Sequence, residues 1–417
     1  MVKESRRVVI TGLGAVSALG VGAAIQFQKA ISCTSGISSF SGNTAIPVDL
    51  SCAAVIQDSL TFDLDNASIS MFDRTAHLAW LVTQEALRHS GLQTLDECQL
   101  EASGLFWGTG FGGSNTLDVA YQDLFLKDKG RTRPFTVIGV MANGAAGLLA
   151  MQTGFKGPSL TYSTACASSS HAIGEAYRSI KFGYCDRAIA GGSESLFNAG
   201  PIKAWEALRT LASPDKHDIN SSCKPFSMDR SGFVLGEGAA ALVLESLESA
   251  QLRGAPILGE IIGYGATTDA VHITRPDSSG QARAMKACLQ EAGLNPEAVA
   301  YINAHGTATE VGDIAETISI KYAFGIEAAN KLCISSTKAI HGHTLGAAGA
   351  LEMVITVQAL QNNIAPGTAF LKIPDPQCDL NYLPMQSVER PIPYAMSNSF
   401  AFGGSNASIL LAQFPKA

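Results

Sequence analysis

The sequence predicts an α/β protein made of two copies of one strand–turn–helix plan. Three observations carry that reading. Short apolar runs alternate with segments of helical period, as in a buried sheet covered by helices. The same order of strand, turn and helix occurs twice. Glycine supplies 41 of 417 residues, which points to many tight turns and close backbone contacts.

Taken in order, residues 8–10 (Val-Val-Ile) read as a buried strand, and so do residues 105–107. Residues 159–165 lead into a helix over about 168–181. Residues 187–190 and 238–245 are further strands. The second copy opens with 258–264, in the place of 8–10. Residues 300–304 end in a polar, Gly-containing turn, as 105–107 do. Residues 332–336 run through a turn into a helix over about 346–361, and 395–399 and 408–412 close the copy. The boundary falls near 253–256, which gives halves 1–253 and 254–417. No Pro/Ser-rich spacer separates them, so the halves are expected to pack face to face.

Composition limits the partners. The apolar share is 46% and the charged share only 16%, a balance that fits extensive burial between subunits. Net charge is −7 and there is no long Lys/Arg run, so neither nucleic acid nor an anionic membrane is expected. Nine cysteines are scattered without a CxxC or CxxxC pair, which argues against structural zinc. Their odd number does not suit a disulfide framework, and free thiols imply a reducing compartment. No stretch of about 18 apolar residues occurs. Residues 1–7 are polar and lead into the first strand without a signal-peptide pattern. The expected location is the cytoplasm.

Chemistry concentrates in two turns and a loop. Thr164-Ala165-Cys166-Ala167-Ser168 follows a strand and precedes a helix. A cysteine at a helix N-terminus is placed where free N–H groups and the helix dipole favour the reactive thiolate. Its small neighbours leave room for a substrate, and its own N–H is half of an oxyanion hole. A lone cysteine is more often a small buried hydrophobe, and the other eight take that reading. Asn303-Ala304-His305-Gly306-Thr307 puts a histidine just past a strand. Lys338, His341 and His343 lie in 336–349, the counterpart of the Cys166 turn. A pseudo-twofold axis brings these turns together at strand C-termini, where α/β ligand sites lie. Both His341 and His343 are candidates. Glu352 follows inside the helix, where a buried carboxylate requires a cation, and Lys338 is the nearest in sequence.

With these motifs, the chain resembles the elongating β-ketoacyl-(acyl carrier protein) synthases, types I and II, of the thiolase superfamily. Further matches are Arg7-Val8-Val9-Ile10-Thr11-Gly12-Leu13-Gly14, Gly157-Pro158-Ser159 and Lys224-Pro225-Phe226. Asp229-Arg230-Ser231-Gly232-Phe233-Val234-Leu235-Gly236-Glu237-Gly238 and Ser397-Asn398-Ser399-Phe400-Ala401-Phe402-Gly403-Gly404-Ser405-Asn406 extend the match over essentially the whole chain. The resemblance implies a thiolase-like fold, with two α/β/α halves forming a five-layered αβαβα core. It implies a ping-pong Claisen condensation. Cys166 takes an acyl group from a carrier-protein thioester, malonyl carrier protein loses CO₂, and the chain grows by two carbons. By the same resemblance, His343 serves the sulfur, His305 serves decarboxylation, and Lys338 with Glu352 sets the local electrostatics. Phe402 supplies the second oxyanion N–H and gates the acyl pocket, which Phe111, Trp205 and Phe400 also line. Asp269, His272, Asp313 and Glu316 match supporting positions. The partners implied are acyl- and malonyl-loaded carrier protein and a second ketosynthase-like subunit, as homodimer or heterodimer. No metal or organic cofactor is implied.

Three features depart from the family pattern. Ala401 stands where Gly is usual before the gating Phe, and a β-carbon restricts φ/ψ there. Phe111 and Trp205 are larger than usual, which predicts short, medium or rigid acyl chains. Residues 66–73 lack the basic residues that greet an acidic carrier protein, leaving Arg74, Arg131, Arg133 and Arg209. These departures point to specialised polyketide or polyene assembly rather than housekeeping elongation. Rival readings are weaker. Gly12-Leu13-Gly14 lacks the third glycine and the distal acid of a dinucleotide site, and is read as serving a tight turn and close packing. A thiolase would carry a second reactive cysteine near Gly403-Gly404, and an initiating synthase would use Cys-His-Asn. A non-catalytic chain-length-factor-like subunit would lack Cys166.

Overall fold

A computed structural model of the chain describes residues 5–42, 48–92 and 94–415. Ten strands follow one path through the sheet. The first half supplies β1 (Val8–Ser17), β2 (Ser103–Gly108), β3 (Ser159–Tyr162), β4 (Arg187–Glu194) and β5 (Gly238–Ser246). The second supplies β6 (Gly259–Thr268), β7 (Tyr301–Asn303), β8 (Cys333–Ser335), β9 (Tyr394–Phe400) and β10 (Ser405–Ala412). Their order is 8-7-9-10-6-1-5-4-2-3. Reading outward from the centre, each strand of one half meets its equivalent in the other. The hydrogen-bond sense repeats as well. β2 is parallel to β3 and β4, and β7 is parallel to β8 and β9. The remaining ladders are antiparallel.

Helices occupy equivalent places. α1 (Arg74–Ser90), α2 (Gly144–Thr153) and α3 (Ser168–Lys181) belong to the first half, and α4 (Ser278–Ala292), α5 (Glu310–Phe324) and α6 (Ala348–Asn362) to the second. α1 covers β1 and β5 on one outside, and α4 covers β6 and β10 on the other. α3 and α6 touch each other and both half-sheets. They form the central layer of five. α6 accordingly has no polar face, and Leu351, Met353, Val354, Ile355 and Val357 are all buried. Between the half-sheets the direct ladder is short, pairing Val8, Val9 and Ile10 with Ile261, Glu260 and Gly259. The halves are thus sewn at one edge as well as packed through helices. No helix of the described residues is long and apolar enough to cross a membrane.

One expectation needs correcting. Gly12 and Gly14 do not form a turn, because β1 continues through them to Ser17. Their role is close packing. A β-carbon on Gly12 would lie 2.1 Å from the Ala86 carbonyl oxygen, and one on Gly14 1.9 Å from that of Val82, both in α1. The second half repeats the device, with Gly263 against Cys288 and Gly265 against Ala284 in α4. These glycines let the outer helices rest backbone-to-backbone on the sheet. Alanine at Gly14 or Gly265 has to push a helix off its strand. Each change should lower stability by about 1–3 kcal/mol or more, read as a fall in the thermal midpoint.

Candidate active site

Two elbow turns meet beneath the sheet. After β3 the chain enters a 3₁₀ turn, Ala165–Ala167, and then α3. After β8, and the short helix Lys338–His341, it enters the equivalent turn, Leu345–Ala347, and then α6. Both turns begin on a residue with positive φ, Ala165 at 50° and Leu345 at 47°. That left-handed step swings the next residue under the central layer. In the first elbow that residue is Cys166, and in the second it is Gly346.

The Cys166 sulfur and one ring nitrogen each of His305 and His343 lie within 4.8 Å of one another. His343 Nε2 is 3.0 Å from Sγ. The two imidazoles meet edge to face, with centroids 5.5 Å apart. His343 Nδ1 accepts the Leu345 N–H at 3.3 Å. A neutral imidazole bonded in this way carries its proton on Nε2, so His343 donates towards the sulfur. Burial pushes both His305 and His343 well below the ordinary imidazole range, and the Lys338 cation adds to the effect. His341 is separate. It bonds Thr337 Oγ1 at 3.0 Å, and burial pushes it down to about 3. The structure therefore brings His343, and not His341, to the cysteine.

A second correction concerns the thiol. Cys166 precedes α3, as expected, but it is also buried. Burial raises its pKa, against the pull of Lys338, the Phe402 N–H and its own N–H. The resting pair is a neutral thiol beside a neutral imidazole rather than a free-standing thiolate. Lys338 and Glu352 form an ion pair with no solvent exposure on either side. Burial pushes Glu352 up to about 7, and Lys338 pulls it back.

The supporting residues now have positions. Glu316 accepts the N–H groups of His305 and Gly306 at 2.9 and 2.7 Å. Asp313, one turn earlier on α5, accepts those of Phe226 and Ala308. Both carboxylates hold the His305 turn. Asp269 accepts from the Asn406 amide at 2.6 Å and from the Asp277 N–H, which fixes the loop after Phe402. His272 is exposed and orders its own loop through the Thr274 and Arg275 N–H groups. Ala401 has φ −110° and ψ 158°, an extended conformation open to any residue. Its β-carbon imposes no strain in this arrangement.

A cavity of about 460 Å³ reaches Cys166, lined among others by Trp205, Phe233, Phe400, Phe402, His305 and His343. Trp205 stacks on Phe402 (6.3 Å, 30°) and meets Phe233 edge-on (5.4 Å). Phe111 does not line this cavity. It is 49% exposed, and its ring meets that of Trp205 at 6.3 Å. Arg209 stands at the cavity mouth. Arg131 and Arg133 are exposed elsewhere, on the segment after residue 126. Arg74 is engaged internally, its guanidinium forking onto the buried Glu237 at 2.9 Å twice. Its side chain nonetheless keeps 37% exposure. Three residues were not anticipated. Arg275 joins Arg209 at the mouth, and Phe233 packs edge-on against His343 at 5.3 Å. Glu194 is a fully buried carboxylate at the end of β4. Its signal was a Glu closing a strand of small residues, Ala190-Gly191-Gly192-Ser193.

A buried thiol that shares donors with two neutral imidazoles suits acyl transfer through a thioester. On this duplicated frame, it marks the class of thiolase-like condensing acyltransferases. Comparison with known proteins narrows the class. Residues 5–250 match the beta-ketoacyl synthase N-terminal domain, and residues 258–372 the beta-ketoacyl synthase C-terminal domain. The chain belongs to the β-ketoacyl synthase family. It is 38% identical over 414 residues to 3-oxoacyl-[acyl-carrier-protein] synthase 2 of Staphylococcus aureus strain COL, covering 99% of each chain. It is 41% identical over 408 residues to nodulation protein E of Rhizobium sp. strain N33, covering 98% of this chain and 99% of that one. Among solved structures, the ishigamide ketosynthase/chain length factor aligns with TM-score 0.89 and 29% identity, over 99% of this chain and 100% of that one. A type II ketosynthase in complex with its acyl-carrier protein (AntDE:AntF) aligns at 0.88 with 28% identity, over 99% and 100%.

The displaced imidazoles have a pH signature. Burial favours the neutral base, so the folded pKa values lie below 6.5. As pH falls through 6.5 the unfolded chain takes up protons that the folded site refuses. Folding stability should therefore drop while the site keeps its donors. The imidazoles themselves should therefore add no inflection to malonyl decarboxylation between about pH 8 and about pH 6, and their contribution to the thermal midpoint should decline over the lower part of that range, against the opposite trend of Glu352.

Proposed function

We propose that the chain extends an acyl group by two carbons through decarboxylative condensation with malonyl carrier protein. The observation that carries this is the 3.0 Å contact from His343 Nε2 to Cys166 Sγ, with His305 in the same cluster. Sγ attacks the acyl thioester carbonyl, the carrier's pantetheine sulfur leaves, and the cysteine proton goes to it. Malonyl thioester then occupies the cavity, and its C–CO₂ bond breaks. The enolate oxygen takes hydrogen bonds from the ring N–H groups of His305 and His343. The new carbanion attacks acyl-Cys166, whose oxyanion faces the N–H groups of Cys166 and Phe402. The C–S bond breaks, and the freed thiolate takes one proton from solvent.

The halves divide this work. Residues 1–253 bring the nucleophile, and 254–417 bring His305, Lys338, His343 and the loop carrying Phe402. Burial keeps both imidazoles neutral, and Lys338, held by Glu352, adds to it. Trp205, Phe400 and Phe402 bound the acyl space, which favours short, medium or rigid chains, with Phe111 packed against Trp205. Arg209 and Arg275 at the mouth, with Arg131 and Arg133 further out, suit an acidic carrier protein. The nine free cysteines suit a cytoplasmic enzyme.

A second subunit is part of this reading. β3 and β8 are equivalent edge strands, yet β8 is wholly buried and β3 is not, with Leu160 48% exposed. Phe125, Val137 and Met141 are exposed in the same half. A ketosynthase-like partner over this edge covers them. The ketosynthase/chain length factor pairs among the similar structures make a heterodimer, with this chain as the active subunit, the alternative to a homodimer.

The test is intact-mass analysis of carrier protein after incubation with malonyl- and acyl-carrier substrates. The enzyme should add two carbons, and Cys166→Ala should abolish the gain. His305→Ala and His343→Ala should each slow decarboxylation by about 10²–10³-fold. Trp205→Ala should admit longer saturated chains. A protein that never acylates at Cys166, alone or with candidate partner subunits, defeats the proposal.

A further inference from the structure

Glu194 is buried completely, yet no Lys, Arg or His of the described residues pairs with it. Burial pushes its carboxyl up to about 7, against hydrogen-bond donors that come from both halves. One carboxylate oxygen accepts the Phe111 N–H at 3.2 Å and the Thr109 hydroxyl at 3.3 Å. The other accepts the Gly110 N–H at 2.6 Å and, across the pseudo-twofold, the Gly346 N–H at 3.1 Å. The two glycines make the space. A β-carbon on Gly346 would lie 2.4 Å from the Gly110 nitrogen and 2.6 Å from the carboxylate, and one on Gly110 would lie 2.8 Å from the same oxygen.

Each donor leads to a different part of the reaction. Phe111 packs against Trp205, the wall of the acyl space. Gly346 follows Leu345, whose N–H sets the His343 tautomer. We infer that Glu194 is a positioning residue of the condensation, clamping the acyl-wall loop 109–111 to the His343 elbow. The inference rests on the condensation reading above. Acyl wall and imidazole are then set as one unit, and the space offered to a chain is coupled to the placement of the donor. Without the carboxylate, the buried Gly346 N–H and the part-buried N–H groups of Gly110 and Phe111 lose their acceptor, a loss the local structure relieves by moving apart.

The test uses Glu194→Gln and Glu194→Asp in the full-length enzyme. Glutamine puts an NH₂ group against N–H donors, and aspartate keeps the charge but shortens the reach. Both should lower condensation kcat by about ten- to a hundredfold. Both should also bring kcat/KM for short and long acyl-carrier substrates closer together. Alkylation of Cys166 by iodoacetamide should not follow. The Glu194 charge disfavours the thiolate, so the glutamine variant should alkylate as fast as the parent or faster, and the aspartate variant at the parent rate. That split distinguishes positioning from general damage. Parental kcat and parental acyl preference in Glu194→Gln would overturn the inference. So would a parallel loss of alkylation, condensation and thermal midpoint in both variants, which assigns Glu194 to the fold alone. Condensation by the parent in the same assay keeps failure of this role distinct from failure of the condensation reading.

Discussion

The structure depends on one contact, the meeting of two equivalent elbows across the duplicated sheet. Each elbow needs a left-handed residue, at Ala165 and at Leu345, before the helix that follows. Such a step costs of order 1 kcal/mol for a non-glycine residue. It persists because the central helices fix both ends. Once the elbows touch, they cannot carry the same residue. There is no room for a side chain at Gly346, since Gly110 and Glu194 already fill that space. One half therefore holds the nucleophile, and the other surrenders its equivalent position to let the first approach. The duplication supplies symmetry, and close packing at the axis breaks it.

That dry interface also decides the charge states. Isolated buried charges are too costly to keep, so the site holds them in compensated sets. Lys338 pairs with Glu352, Arg74 with Glu237, and Glu316 and Asp313 lean on backbone N–H groups. Removing one partner of the Lys338–Glu352 pair would strand a charge at a cost of about 3–5 kcal/mol. Its presence has a chemical consequence. Burial keeps the two histidines from protonating and the enclosed cation adds to it, and a neutral imidazole with its proton on Nε2 is the donor an enolate needs. The cation's field also favours negative charge on sulfur and oxygen. Burial opposes that charge at rest, so the thiol waits for substrate to fill the cavity.

Much of this was legible in the residues, and what was not has physical reasons. The duplication showed because strand, turn and helix recur in the same order, and Cys166, His305 and His343 stood out because each lies in a connection that follows a strand. Strand length was not legible at Gly12 and Gly14, where glycine signals a turn locally but serves helix packing from the outside. Arg74 read as a surface cation because its partner, Glu237, lies 163 residues away. Phe111 read as pocket lining because spacing places it near the wall without saying which side it faces. The state of the thiol depends on burial, which no local motif records. Glu194 was missed for the same reason, since all of its donors lie far off in sequence.

These misses share a feature: they concern contacts between residues far apart in sequence. Hydrophobic period and turn chemistry are local quantities, and a sequence displays them. A cation's distance from an imidazole, a carboxylate's donors, and the need for a missing β-carbon are not local. They arise only when distant segments pack, within a half as at Arg74 and Glu237, or across the pseudo-twofold as at Glu194 and Gly346. The same logic locates where such an enzyme diverges from its relatives. Residues that hold the elbows have little freedom, because each change is felt in both halves. The wall at Trp205, the exposed edge at β3 and the mouth at Arg209 and Arg275 each touch one half or a partner. Substitution there alters the chain accepted, or the protein met, and leaves the condensing machinery in place.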